Sequence, residues 1–278
     1  MPVRIVQSKQ NARLKELRRA LAPRREKMLG VAGIEGPHLV EEAVRAGLRL
    51  ITVFAGETMQ HKVQHMRFPD ETEVLIVPAG ILASVLGTET PQPLAALIEV
   101  PDWTWAHVLR SRGAWPPLVL VLAGLQDPGN LGTIVRSAEA FGATGIVALP
   151  GTVSVWNPKA VRASAGSVFR VPVITAGVDE CFTSLREAGV RVLTTAPRGV
   201  EAAHQSTLAA AVALVIGNEG SGVPQELAAR ADEHIAIPCP GPVESLNAAV
   251  AASVLLYEVS RQRAQENSAR TGRRGSTR

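Results

Sequence analysis

Leu118-Val119-Leu120-Val121-Leu122-Ala123 runs without a charge into Gly124-Leu125-Gln126-Asp127-Pro128-Gly129-Asn130-Leu131-Gly132-Thr133-Ile134-Val135-Arg136. An unbroken apolar run of this kind suits a strand buried on both faces of a parallel sheet. The Gly- and Pro-rich turn then gives way to a helix over 131–141. Two later stretches repeat the plan. They are Ile216-Gly217-Asn218-Glu219-Gly220-Ser221-Gly222 and Ile237-Pro238-Cys239-Pro240-Gly241-Pro242-Val243-Glu244-Ser245-Leu246-Asn247. Loops at strand ends of a rigid scaffold carry binding and chemistry. Three of them, each with polar side chains among glycines or prolines, predict one composite site.

Working outward, strands at 118–123, 146–149, 191–195, 212–217 and 234–237 alternate with helices at 131–141, 159–168, 178–188, 224–230 and 245–261. That alternation indicates an α/β domain over 118–263. Upstream, strands at 31–34, 50–54, 73–77 and 94–100 alternate with helices at 37–46, 57–66 and 79–86, a smaller α/β domain in residues 1–100. It opens with an amphipathic helix over 11–21, with Asn11 as N-cap and Leu14, Leu17 and Leu21 on one face. Residues 101–117 hold Pro101, Pro116, Pro117, Trp103, Trp105 and Trp115 and read as a linker that packs against a domain. Residues 264–278 have no apolar pattern and are expected to be a disordered basic tail.

Composition narrows the class. The chain has 278 residues, 46% of them hydrophobic, and a net charge of +4. No apolar run reaches the roughly 18 residues that span a bilayer, and the N-terminus lacks a secretory pattern. Cys181 and Cys239 form no Cys-x-x-Cys pair and read as thiols of a reducing cytoplasm. His61 and His65 have helical spacing but no carboxylate ligand pair, so no metal is expected. Basic residues gather at the ends. Arg4, Lys9, Arg13, Lys15, Arg18, Arg19, Arg24, Arg25 and Lys27 face only Glu16 and Glu26; Arg261, Arg263, Arg270, Arg273, Arg274 and Arg278 close the chain. Such clusters are the footprint of a polyanion. Arg13, Lys15, Arg18 and Arg19 on the first helix are the candidate contacts to such a polyanion; a solvated helix face is the alternative.

Each loop has its own chemistry. The helix start holding Asn130, Gly132 and Thr133 presents unpaired N–H groups that favour an anion. Arg136, one turn after Thr133, leans back toward the loop, and its fork suits a phosphate or a developing oxyanion. Pairing with Glu139 is the plainer reading. The second loop is spaced G-x-x-G-x-G rather than G-x-G-x-x-G, and Glu219 repels phosphates, which argues against a dinucleotide. It suits a neutral or cationic ligand; Glu219 as a turn or cap residue is the plainer reading. Prolines stiffen the third loop. Ser245 is its expected helix cap, leaving the Asn247 amide to donate to and accept from a ligand. Leu246, Val250 and Val254 make an apolar stripe, and Ala248, Ala249, Ala251 and Ala252 permit close packing across a dimer.

At these three loops the sequence resembles the SpoU (TrmH) family of RNA ribose 2′-O-methyltransferases, of the SPOUT superfamily. The resemblance spans residues 118–261 and rests on Asn130-Leu131-Gly132 with Arg136, Gly217-Asn218-Glu219-Gly220, and Ile237-Pro238 leading to Ser245-Leu246-Asn247. The family has Met where this chain has Cys239, an exchange of one soft apolar side chain for another. Ile34-Glu35-Gly36-Pro37 and Pro91-Gln92-Pro93-Leu94-Ala95 are similar to the family's substrate-binding domain, which is like a ribosomal protein. The resemblance implies an α/β fold whose C-terminal domain carries a trefoil knot, a homodimer, and S-adenosylmethionine bent into the knot. Cofactor contacts would fall on Gly217, Ile237 and Leu246, with Asn218, Gly222 and Pro238 beside them and Thr194, Thr195 and Ala196 near the adenine. Arg136 would act on the ribose hydroxyl, as proton acceptor or as phosphate clamp, with Asn130, Glu219, Ser245 and Asn247 positioning it. A guanidinium pKa above about 12 favours the clamp. Ribosomal RNA is the favoured substrate because a separate N-terminal domain accompanies the catalytic one. Transfer RNA, a resistance methyltransferase, and a non-catalytic RNA-binding protein with this fold are the alternatives.

Overall fold

The computed structural model describes residues 3–22, 30–195, 201–243 and 245–275. Arg24, Arg25, Glu26, Lys27, Ala196, Glu244 and Arg278 lie outside the described residues, as do the side chains of Arg270, Arg273 and Arg274. The chain forms two compact units: Met1–Asp102 with Trp156–Arg170, and Trp103–Val155 with Val171–Arg278.

The first unit contains β1 (Val3–Ile5), α1 (Ala12–Ala20), β2 (Val31–Glu35), α2 (Pro37–Arg45), β3 (Leu50–Gly56), α3 (Gln60–His65), β4 (Glu73–Val77), α4 (Ala79–Leu86) and β5 (Leu94–Glu99). Its sheet order is β1-β4-β3-β5-β2, with β5 antiparallel to both neighbours. Asn11 caps α1 as expected, accepting from the Arg13 and Leu14 N–H groups at 2.9 and 3.3 Å. Leu14, Leu17 and Ala20 are buried against Phe54, Leu75 and Leu82; each leucine contributes about 1.5–3 kcal/mol by burial. The helix lies so close to β2 that a Cβ on Gly33 would meet Leu21 Cγ at 2.9 Å.

The second unit contains α5 (Trp105–Val108), β6 (Leu118–Leu122), α6 (Pro128–Ala140), β7 (Gly145–Ala148), β8 (Val173–Thr175), α8 (Val178–Glu187), β9 (Arg191–Thr195), β10 (Glu201–Ala202), β11 (Val212–Ile216), α9 (Gln225–Ala228), β12 (Glu233–Ala236) and α10 (Ala248–Gly275); α7 (Pro158–Ala163) falls in the first unit. The sheet order is β10-β12-β9-β11-β6-β7-β8 and every pairing is parallel. All carboxyl ends therefore point one way. Leu122 pairs with Ile216, Val215 with Thr194, and Thr195 with Ile235. This register brings the three sequence loops to one edge of the sheet, where strand order reverses and α/β ligands bind.

Several elements depart from the sequence expectation. The helix expected over 131–141 begins at Pro128, because Asp127 is its N-cap and proline suits the first helical position. The helix expected over 159–168 stops at Ala163: Ala165 and Gly166 turn left-handed at φ 50° and 93°, and a Cβ on Gly166 would meet Glu42 Cβ at 2.8 Å. The last helix starts at Ala248 rather than Ser245 and runs through the stretch expected to be disordered. Arg263 explains part of that length. It is only 4% exposed, and its guanidinium donates to Pro117 O and Ala210 O at 3.1 and 2.9 Å, tying α10 to the amino ends of β6 and β11. Burial lowers its pKa to about 10, so it stays charged at neutral pH. Beyond it, Ala, Gln and Glu are good helix formers. No described helix is long and apolar enough to cross a membrane.

Candidate active site: three loops joined by one relay

Glu219 lies in the loop after β11, and its carboxylate reaches the loop after β6. Oε1 accepts from the Asp127 N–H at 3.1 Å and from Asn130 Nδ2 at 3.0 Å; Oε2 accepts from the Gln126 N–H at 3.3 Å. Asp127 Oδ1 takes the Asn130 N–H at 2.9 Å. The anion at the start of α6 is thus supplied by the protein. This corrects the expectation of free N–H groups waiting there for a ligand, and it makes the cap reading of Glu219 the right one in part. Burial pushes the Glu219 carboxyl up, but the bonds from Asn130 and from backbone N–H groups outweigh it and hold it below its ordinary value.

Asn130 passes the connection to the third loop. Its Oδ1 accepts from Asn247 Nδ2 at 3.0 Å. Asn247 Oδ1 in turn accepts from the Ala249 and Val250 N–H groups at 2.9 and 3.2 Å. Asn247, not Ser245, is therefore the cap of α10. Both halves of its amide are used, Nδ2 as donor and Oδ1 as acceptor, which an ionised aspartate could not manage. Glu219, Asn130 and Asn247 form a relay that pins loops after three different strands to one another.

The loop after β11 has a second fixing. Asn218 and Gly222 exchange N–H···O bonds of 3.0 Å, and Asn218 Nδ2 donates to Gly124 O at 2.8 Å. Its Oδ1 takes the Gly220 N–H at 2.9 Å. Gly217 is required at this crossing, since a Cβ there would lie 2.1 Å from Gly222 C. Side chains that sequence reasoning passed over also hold the frame: Asp127 as cap, and Thr152, whose Oγ1 accepts from the Gly124 N–H at 3.1 Å and donates to Leu122 O at 2.9 Å. The Asp-Pro pair was a legible signal for the first; nothing local marks the second.

Other expected site residues stand as follows. Arg136 is exposed on α6 and, among the described residues, makes no hydrogen bond or ion pair. The next residue, Ser137, meets Ser253 of α10 at 2.7 Å. Ser245 is exposed, whereas Ile237, Cys239 and Leu246 are half-buried within the third loop and Pro238 is exposed. Thr194 is buried with its Oγ1 2.6 Å from His234 Nδ1, and Thr195 is half-buried at the strand end. On α1, Lys15, Arg18 and Arg19 are exposed. Arg13 is engaged by Glu16 at 2.8 Å and Glu73 at 3.4 Å, so its charge is largely answered within the unit.

The loops after β11 and β12 carry no Lys or Arg over 217–222 and 237–243. They offer backbone groups, half-buried Ile237, Cys239 and Leu246, and no counter-charge for a phosphate. That donor set fits an adenosine bearing a sulfonium cation.

A family model described as the SpoU rRNA Methylase family matches residues 117–257, and one described as an MRM3-like substrate binding domain matches residues 11–96. The chain is 32% identical over 259 residues to the 23S rRNA (guanosine(2553)-2′-O)-methyltransferase RlmP of Bacillus subtilis (strain 168), covering 91% of this chain and 98% of that protein. It is similar to the AdoMet-bound rRNA methyltransferase from Sinorhizobium meliloti, with TM-score 0.82, 29% identity, and coverage of 93% and 98% of the two chains. It is similar also to the SpoU methyltransferase AviRb from Streptomyces viridochromogenes in complex with AdoMet, with TM-score 0.80, 28% identity, and coverage of 91% and 98%.

Proposed function

The chain belongs to the SpoU rRNA methylase family, and from that premise we propose how its loops divide the work of the enzyme. It is an S-adenosylmethionine-dependent RNA ribose 2′-O-methyltransferase. Loops after β11 and β12 hold the cofactor, through Gly217, Asn218 and Gly222 on one side and Ile237, Pro238 and Leu246 on the other. Thr194 and Thr195 stand beside the adenine. The cofactor supplies an electrophilic methyl group on sulfur. The loop after β6 faces the RNA, and its working residue is Arg136.

The observation that carries this reading is the Glu219–Asn130–Asn247 relay beside an exposed Arg136 without a counter-charge among the described residues. The relay consumes the site's own carboxylate, so Glu219 is not a free base. Arg136 orients the hydroxyl and clamps the neighbouring phosphate of the RNA, a role its permanent charge suits. Ser245, exposed two residues before Asn247, completes the residues assigned to position the ribose. Holding hydroxyl and methyl donor in line contributes about 7–11 kcal/mol of the barrier reduction.

Residues 1–100 act as the RNA-binding domain, residues 101–117 as a linker and residues 118–263 as the methyltransferase domain, with the segment from 264 continuing as a basic extension. The exposed Lys15, Arg18 and Arg19, with Arg13 secondary, contact phosphates. Ribosomal RNA of the large subunit is the target class, a reading supported by the RlmP relative. A trefoil knot belongs to this reading: from β12 on one side of the sheet the chain returns to pack α10 on α6 beyond β9 and β11. So does a homodimer, supported by Val250, Val254 and Tyr257, which are 49, 40 and 55% exposed along α10, in a cytoplasmic enzyme. Mapping ribose methylation in ribosomal and transfer RNA, with and without the protein, tests the function. A new 2′-O-methyl mark in large-subunit RNA that Arg136→Ala abolishes is the expected result; no mark in any RNA would sink it.

A further inference from the structure

Glu35 closes β2, and among the described residues it is the only carboxylate more than nine-tenths buried, at 7% exposed. It joins the two stretches of the first unit that the loop chemistry leaves unused, Ile34-Glu35-Gly36-Pro37 and Pro91-Gln92-Pro93. Oε1 accepts from Thr88 Oγ1 at 2.9 Å and from the Gln92 N–H at 3.0 Å. Gly36 N–H bonds Leu94 O and Gly56 N–H bonds Pro93 O, both at 2.8 Å, so the ends of β2, β3 and β5 meet here. Both lone pairs of Oε1 are thereby used. Oε2 has no partner among the described residues, and it is absent from their sealed, unpartnered polar atoms, so it reaches water. No ion pair answers the carboxylate among the described residues. Burying such a group without a cation is costly, and the surrounding loop does not need Oε2 to hold its shape.

The rim excludes other ligands. Residues 36–38, 56–60 and 88–93 contain no Lys or Arg, and Glu57 and Glu89 are exposed there, so these three segments offer an RNA phosphate no counter-charge. Lys159 and Arg162 of α7, which packs on β2, make no ion pair with Glu35. No group of three or more metal-ligating side chains exists among the described residues. What remains is a neutral hydrogen-bond donor offered to one fixed acceptor. Single-stranded RNA is read on exposed base edges, and a carboxylate accepts from an amino group such as cytosine N4. With only one oxygen available, the paired imino and amino edge of guanine is half used, and uracil O4 is repelled.

We propose that Glu35 is a specificity residue of the substrate domain, accepting through Oε2 the exocyclic amino group of an unpaired cytosine or adenine in the RNA. This rests on RNA being the substrate. The test is competition of short oligocytidine and oligouridine for the full-length protein. Wild type binds the cytidine oligomer about ten- to a hundredfold better, as expected of one hydrogen bond to a charged acceptor. Glu35→Gln keeps an amide oxygen for Thr88 and Gln92 but turns an N–H outward, so the preference vanishes or reverses toward uridine. S-adenosylmethionine affinity and the thermal midpoint stay near wild type. Thr88→Val, which leaves Oε2 in place, keeps the cytidine preference. Equal affinity of wild type for the two oligomers overturns the proposal whether or not the variant folds, and so does an unchanged ratio in a folded Glu35→Gln. Failure to bind any RNA would instead sink the methyltransferase reading beneath it.

Discussion

Replacing Gly217 by alanine tests the most tightly built point of the cofactor loops. The added Cβ would lie 2.1 Å from Gly222 C, 2.3 Å from Gly222 O and 2.3 Å from Val223 N, all backbone atoms. Carbon contacts are comfortable near 3.5 Å, so the far side of the loop must move by roughly 1 Å. That displacement opens the paired Asn218–Gly222 bonds and strains Asn218 Nδ2 against Gly124 O. Overpacking costs about 1–3 kcal/mol and two backbone bonds about 1 kcal/mol each, giving about 3–5 kcal/mol in all. For a chain of this size that lowers the melting midpoint on the order of 10 °C. Gly220→Ala is the internal control: its Cβ meets only Asn218 Oδ1, at an ordinary 3.5 Å, without a left-handed φ. It should stay within about 0.5 kcal/mol. Calorimetric melts and titration with S-adenosylmethionine of both variants decide the matter. If Gly217→Ala melts with wild type and binds cofactor equally well, the close-approach argument is refuted.

Four further outcomes follow from the same geometry. Arg136→Ala should lower turnover on the order of 10²–10⁴ while leaving S-adenosylmethionine affinity intact, read by single-turnover methylation and calorimetry. Asn247→Asp keeps the cap on Ala249 and Val250 but sets an oxygen against Asn130 Oδ1, so activity should fall about tenfold with little change in the melt. Glu219 has a depressed folded-state pKa, so its stabilisation is present above its ordinary 4.5 and lost as pH falls through the lower folded value. Wild type should therefore lose more stability than Glu219→Gln when melts are followed from neutral pH into that acid window. Replacing Lys15, Arg18 and Arg19 together by alanine should flatten the salt dependence of RNA binding by about 0.7 for each phosphate no longer neutralised. Arg13→Ala should flatten it less, because Glu16 and Glu73 already answer its charge.

The motifs and the alternation of apolar runs were legible because each is local. Residues 73–77 and 79–86 carry their periodicity in full, and their strand and helix bounds coincide with β4 and α4. Short elements escaped for the opposite reason. β1, β8 and β10 span two or three residues and owe their conformation to the neighbour they pair with rather than to their own pattern. Residues 264–275 read as tail because they lack an apolar stripe, yet they follow a helix already nucleated and anchored by Arg263, and propagation needs no further core.

The sequence by itself determined that three strand-end loops exist, that the second carries an acid and no Lys or Arg, and that Arg136 sits about one turn after Thr133 on the helix that follows the first. Only the tertiary structure decided what the polar residues do with one another. Glu219 and Asn130 are 89 positions apart and Asn130 and Asn247 are 117 apart. Their bonds depend on parallel strands being laid side by side in an order that the chain does not follow, and no local spacing encodes that order. Local spacing offered Glu219 both as a positioning residue and as a turn or cap residue, and only the fold shows which groups it holds, while Ser245 looked like the cap that Asn247 is.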